Sequence, residues 1–199
     1  MSAPTVVLVP GLRGCAEDHW QTGLAAALPG TRTVPPLGRT EPGRRARVAL
    51  LDRIGARVAL LDRIVTEVAG PVVLVAHSAG VLVTTHRATQ YRGPAVVGAL
   101  LATPPTLADE LPPEYPSIRV LRAHGWLPIP RRPLPFPSIV AASTDGPLAN
   151  PVRLRSLAAA WGGQWHCLGP VGHLDPASGF GPWPQAQELV RELTEGTVR

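Results

Sequence analysis

Six short strand-like runs, at residues 5–9, 31–34, 72–76, 95–101, 138–142 and 164–168, alternate with helix-compatible segments at 18–28, 44–68, 81–92, 151–161 and 184–194. A run that is apolar at consecutive positions, such as Val72-Val73-Leu74-Val75, has to be covered on both faces once it is a strand. Strands of that kind alternating with helices predict an α/β chain: a three-layer sandwich with a mostly parallel sheet of about six strands and right-handed crossovers. At 199 residues the chain is long enough for one well-buried core and too short for two comfortable ones, so 1–199 reads as a single domain.

The third run leads straight into Ala76-His77-Ser78-Ala79-Gly80, and a helical segment follows at once. A serine in a strand-to-helix turn is held in a sparsely populated backbone conformation with its hydroxyl above the sheet edge. The residues two before and two after it have to be small, because a bulky side chain there would strike the adjoining strand or helix. Ala76 and Gly80 satisfy that demand, although Ala76 departs from the usual Gly-x-Ser-x-Gly.

Two further runs end in polar groups. The run at 138–142 is followed by Ser143-Thr144-Asp145-Gly146, and the run at 164–168 by Gly169-Pro170-Val171-Gly172-His173. Sites in open parallel sheets form beyond the carboxyl ends of the strands, so Ser78, Asp145 and His173 can converge there. A serine hydroxyl is a poor nucleophile until a base removes its proton; His173, with an unperturbed pKa of about 6.5, is suited to the task. Asp145 would fix the tautomer of His173. Two backbone N–H groups are then needed for the oxyanion, one from Ala79 and one from the loop Pro10-Gly11-Leu12-Arg13-Gly14, where Leu12 is the candidate. Asp175 and Asp109 are the alternative carboxylates, and His77 the alternative base, although its position beside Ser78 should turn it away from the hydroxyl.

These motifs resemble the retinoblastoma-binding protein nine family of small serine hydrolases, a compact branch of the α/β-hydrolase superfamily. The matching stretches are Val7-Leu8-Val9-Pro10-Gly11 with Asp18-His19-Trp20-Gln21, and Val73-Leu74-Val75-Ala76-His77-Ser78-Ala79-Gly80. Others are Leu134-Pro135-Phe136-Pro137-Ser138 with Ala142-Ser143-Thr144-Asp145, and Gly172-His173 with Ser178-Gly179-Phe180-Gly181-Pro182-Trp183. The resemblance implies a compact α/β-hydrolase fold, hydrolysis of a small ester or related acyl bond through an acyl-serine, and catalytic roles for Ser78, Asp145 and His173. The family name also suggests an alternative, a catalytically idle interaction module, and amide cleavage of the aminopeptidase kind is a third. His19 and Trp20 read either as packing residues or as pocket lining. Trp183 reads either as a helix-start anchor or as a wall of the acyl site.

Composition narrows the remaining classes. The net charge of +5 comes with 19 basic residues, all Arg and scattered; the densest group, Arg39, Arg44, Arg45 and Arg47, has no recognition motif beside it, so no nucleic-acid partner is expected. Cys15 and Cys167 lie far apart, and His86, His124 and His166 have no ligand-like spacing, which predicts neither a disulfide framework nor a metal site, and no cofactor. No signal-peptide pattern opens the chain and no apolar stretch is long enough to span a bilayer, so a cytoplasmic location is expected. A small-molecule acyl substrate is the expected partner; nothing in the sequence indicates a protein partner, and a monomer is the default.

Residues 45–54 recur as 55–64 with one change, Arg45 to Gly55. Ten residues are not a whole number of helical turns, so at about 100° per residue the copies cannot bury the same face. A continuous stripe nevertheless runs through Leu51, Ile54, Val58, Leu61, Val65 and Val68, with Gly55 a point at which the segment could divide. The proline-rich run 128–137 reads as a stiff surface connector or as a lid.

Overall fold

The computed structural model describes residues 3–35, 53–90, 96–108, 110–196 and 198. Six strands, β1 (Thr5–Val9), β2 (Arg32–Thr33), β3 (Val72–His77), β4 (Val96–Ala102), β5 (Ser138–Ser143) and β6 (Gln164–Gly169), form one sheet in the order β2-β1-β3-β4-β5-β6. Every neighbouring pair is parallel. Helices α1 (Trp20–Ala27), α2 (Ile54–Thr66), α3 (Ala79–Gln90), α4 (Ile118–Ala123), α5 (Pro151–Trp161) and α6 (Gln185–Glu195) cover it. The three-layer α/β architecture read from the strand–helix alternation is the one found, with a sheet that is wholly parallel.

Period-two geometry sorts the apolar strand residues into two cores. Val7, Val9, Leu74, Ala76 and Leu101 face α2, α3 and α5. Their sequence neighbours Val6, Leu8, Val73, Val75 and Leu100 face α1 and α6 on the opposite side. The central strand β3 is therefore buried along its whole length, the reason its sequence reads as an unbroken apolar run.

Helix α2 carries the second copy of the decapeptide. Its buried residues include Ile54, Val58, Leu61 and Val65, the stripe read from the sequence, and Val68 packs partly buried against the same core. Gly55 lies in the first turn, where the backbone N–H has no intrahelical partner to lose. Asp62 pairs with Arg87 of α3 at 2.9 Å and secures the helix laterally. Residues 45–52 of the first copy, Leu51 included, and the arginine group at 39–47 lie outside the described residues. At one edge the predicted strand 31–34 is reduced to two paired residues, matched to Val7 and Leu8. The run 128–137 is a packed connector: Ile129 and Phe136 are buried, and the Pro130 carbonyl accepts a hydrogen bond from Trp161 Nε1 at 2.7 Å. Among the described residues no helix is long and apolar enough to cross a membrane.

Candidate active site

The site is built where β3 ends at His77 and α3 starts at Ala79, with Ser78 alone between them. Its φ of 55° lies in the left-handed region, which costs a non-glycine residue roughly 1–3 kcal/mol and persists only where the surroundings enforce it. The enforcement is visible: Ser78 N donates to the Ala102 carbonyl at 3.0 Å, and the Ser78 carbonyl accepts from Val81 N at 3.0 Å. Close packing accounts for the glycine that follows. A Cβ on Gly80 would lie 1.9 Å from the Val9 carbonyl oxygen and 2.8 Å from that of Pro10, so the start of α3 rests directly on the end of β1. Gly80→Ala should therefore shift or unfold the turn, lowering stability by about 3 kcal/mol or more. A denaturant midpoint equal to the parent's would show that the contact is not tight.

His173 lies on the loop after β6, and its Nε2 is 2.8 Å from Ser78 Oγ. Both side chains are buried. The main chain of His173 is held on both sides: its carbonyl accepts from His77 Nε2–H at 2.9 Å and from Thr103 Oγ1 at 3.3 Å, while its N–H donates to Ser178 Oγ at 2.9 Å. His77 thus points away from the serine, as its place in the strand requires, and its ring supports the main chain of His173. Burial, with the neighbouring His173 and His19 adding to it, holds His77 well below the ordinary imidazole range, so it is a neutral donor.

Asp145 follows β5. Its Oδ1 accepts from Ser143 Oγ at 2.8 Å and from Gly172 N at 2.8 Å, and these bonds hold its pKa below the ordinary carboxylate value. The carboxylate is thus joined to the residue preceding His173. Among the described residues, the one hydrogen bond made by the His173 ring is to Ser78. Asp175, the alternative carboxylate, accepts at Oδ1 from the N–H and the hydroxyl of Ser178. Its charge favours the imidazolium of His173, but burial dominates, and the pKa of His173 falls to about 4. Asp109, the other alternative, lies outside the described residues.

A cavity of ≈ 90 Å³ opens beside Ser78, lined by Gly11, Leu12, Ala79 and His19 at the catalytic end and by Leu82, Leu107, Leu111, Leu121, Trp126 and Leu148 in its apolar part. Arg13, stacked 4.6 Å from the Tyr115 ring centroid, lines it too. A Cβ on Gly11 would lie 3.3 Å from Ser78 Cβ, a tight contact, so glycine here lets the loop pass close to the serine. Among the described residues the N–H groups of Leu12 and Ala79 donate no hydrogen bond within the protein, and Ala79 begins a 12-residue helix whose positive end favours negative charge.

Of the three aromatic candidates for pocket lining, the cavity takes only His19. His19 also caps α1, accepting at Nδ1 from Gln21 N at 3.2 Å. Trp20 and Trp183 pack edge to face on each other, ring centroids 5.0 Å apart, in the core beneath α1 and α6. The correction has a simple cause: His19 is the extended cap ahead of α1, whereas Trp20 is the first helical residue and turns into the core beneath the helix. Gln21 explains the rest of that motif, donating from Nε2 to the Val75 carbonyl at 2.9 Å and accepting from the Cys15 thiol. Burial raises the Cys15 thiol to about 11, which leaves it protonated and no rival nucleophile. The residues that sequence reasoning missed are the apolar walls, Leu107, Leu111, Leu121, Trp126 and Leu148. They lie on loops and on the short α4, where no periodic pattern marks them.

The serine hydrolase family model matches residues 6–192, nearly the whole chain. The chain belongs to the serine hydrolase family. Solved structures agree on the fold. A protein described as a YdeN-like hydrolase from Pectobacterium atrosepticum superposes with a TM-score of 0.78 at 24% identity, covering 99% of this chain and 94% of that one. The ydeN gene product of B. subtilis gives 0.70 at 17% identity, covering 96% and 99%. The type II thioesterase BorB from the borrelidin biosynthetic cluster gives 0.62 at 18% identity, covering 98% and 92%. Among curated proteins none matches the chain. This serine hydrolase therefore has an α/β-hydrolase fold and the hydrolytic character of its family.

Proposed function

We propose that the protein hydrolyses a small carboxylic ester, or a related acyl bond, through an acyl-Ser78 intermediate, and that it belongs to the branch resembling retinoblastoma-binding protein nine. The observation that carries this reading is the 2.8 Å contact between Ser78 Oγ and His173 Nε2, made at a strained turn that opens on an apolar cavity. Ser78 Oγ attacks the acyl carbon as its proton passes to His173 Nε2. The N–H groups of Leu12 and Ala79 hold the oxyanion, each donor worth roughly 3 kcal/mol. The leaving alcohol departs with the proton, and water activated by the same imidazole releases the acid and regenerates Ser78. Asp145, anchored to Gly172, orients His173. A pure interaction module has no need of a nucleophile and base in contact.

The test is turnover of p-nitrophenyl acetate together with labelling by a fluorophosphonate. Hydrolysis with a single label mapped to Ser78 supports the reading; a label elsewhere, or none, removes it.

A pH dependence follows from burial. The working base is the neutral imidazole, and with the pKa of His173 at about 4 that form persists far into acid. The acid limb of kcat/KM should centre near pH 4 instead of about 6.5. A limb centred between about 6 and 7 would contradict the assignment. The stability sign is fixed as well. The folded pKa is depressed, so the folded chain binds fewer protons than the unfolded one; the contribution is full above about pH 6.5 and is lost as pH falls towards 4, roughly 3 kcal/mol from this group.

A further inference from the structure

We infer that Leu111 and Leu148 form a partition that limits the acyl group to a few carbons, an inference that rests on the hydrolase reading and specifies its substrate class. Two cavities meet at these side chains. The one beside Ser78 measures ≈ 90 Å³. Behind it lies another of ≈ 260 Å³, and the residues common to both linings are Leu111 and Leu148.

The segment between β4 and α4 supplies most of the wall. Pro105, Leu107 and Leu111 line the cavity of Ser78, whereas Thr106, Ala108 and Glu110 line the other. The side chains of this segment thus divide between two environments, one on each side of the chain. Hydrogen bonds fix this wall to the loop after β5: Thr106 N donates to the Leu148 carbonyl and Asn150 N donates to Thr106 Oγ1, each at 3.1 Å. At this wall Leu148 is buried and Leu111 half-buried.

The two sides differ in chemistry. The side of Ser78 is apolar in depth, while Glu110 and Asn150 give the far side polar character. A cavity of roughly 150 Å³ is known to hold one benzene. The ≈ 90 Å³ beside Ser78 therefore suits a short aliphatic acyl chain, and a longer one would have to displace the leucines.

The experiment uses the full chain and p-nitrophenyl esters from acetate to octanoate. The parent's kcat/KM should fall by about tenfold or more between butanoate and octanoate. Leu148→Ala and Leu111→Ala should each raise the octanoate-to-butanoate ratio about tenfold, and Leu148→Phe should lower it. The ratio is internal, so a general loss of activity cancels. Leu111 is only partly buried, which keeps the test open if Leu148→Ala does not fold. A second readout needs no chemistry: calorimetric Kd values for butanoate and octanoate, in which the alanine variants should favour octanoate by a similar factor. An unshifted ratio in both readouts overturns the partition, even if Ser78 turns over esters. A shifted Kd ratio without any turnover overturns the hydrolase reading and leaves the partition standing.

Discussion

Ser78→Ala should lower turnover of p-nitrophenyl acetate by roughly 10⁴- to 10⁶-fold and abolish fluorophosphonate labelling, while the protein stays folded. The size follows from what is removed. Without Oγ no acyl-enzyme can form, so catalysis falls back on oxyanion donors and bound water, a residue of about 10³-fold or more over solution in comparable sites. The fold should tolerate the change, because the turn is held by main-chain bonds of Ser78 to Ala102 and Val81, none of which uses the hydroxyl. Thermal unfolding of the variant within a few degrees of the parent, with activity gone, is the expected pair of results. Labelling that survives in Ser78→Ala would place the nucleophile elsewhere.

Asp145→Asn should cost about 10³- to 10⁴-fold in kcat/KM, whereas Asp175→Asn should cost less than about tenfold. Asp145 Oδ1 is already committed to Ser143 and Gly172; its second oxygen makes no hydrogen bond among the described residues, and in the proposed mechanism it accepts from His173 Nδ1–H as substrate binds. An amide presents N–H where that oxygen was. Facing a donor, the imidazole would take the opposite tautomer, with its proton on Nε2 against Ser78, and cease to be a base. At Asp175 the working oxygen accepts from Ser178, and Ser178 in turn accepts from His173 N. Asparagine keeps that acceptor, so the base loop stays in place. If the two variants exchange their effects, Asp175 is the orienting acid. Steady-state rates on one ester decide between them.

Sequence reading recovered the elements whose signal is local. Strand β3 declares itself because both its faces are covered, and the turn at Ser78 because helix start and strand end leave room only for small neighbours, Ala76 and Gly80. The contact of Ser78 with His173 was readable as an order of polar residues at strand ends, since parallel strands bring those ends to one rim. Less was legible where several distant segments share one surface. Residues 105–108, 110 and 111 show no periodicity that sequence could use, yet they divide two cavities, and Trp126, just beyond α4, joins Leu121 in the lining of the one beside Ser78. For the aromatic pair the sequence left packing and pocket lining open; Trp20 is buried in the core and Trp183 packs partly buried against it, a distinction that depends on contact between α1 and the distant start of α6. The anchoring of Asp145 to a backbone N–H one residue before the base is likewise a tertiary fact, with no trace in spacing.

The carbonyl of His173 is clasped by one ring and one hydroxyl, those of His77 and Thr103, and its amide by Ser178. In the proposed mechanism the proton carrier is therefore a swivelling ring on a stationary stalk. Rotation about its side-chain bonds is the cheap degree of freedom, so the proposed shuttle from serine to departing alcohol would be a small pivot that leaves the surrounding chain where it was.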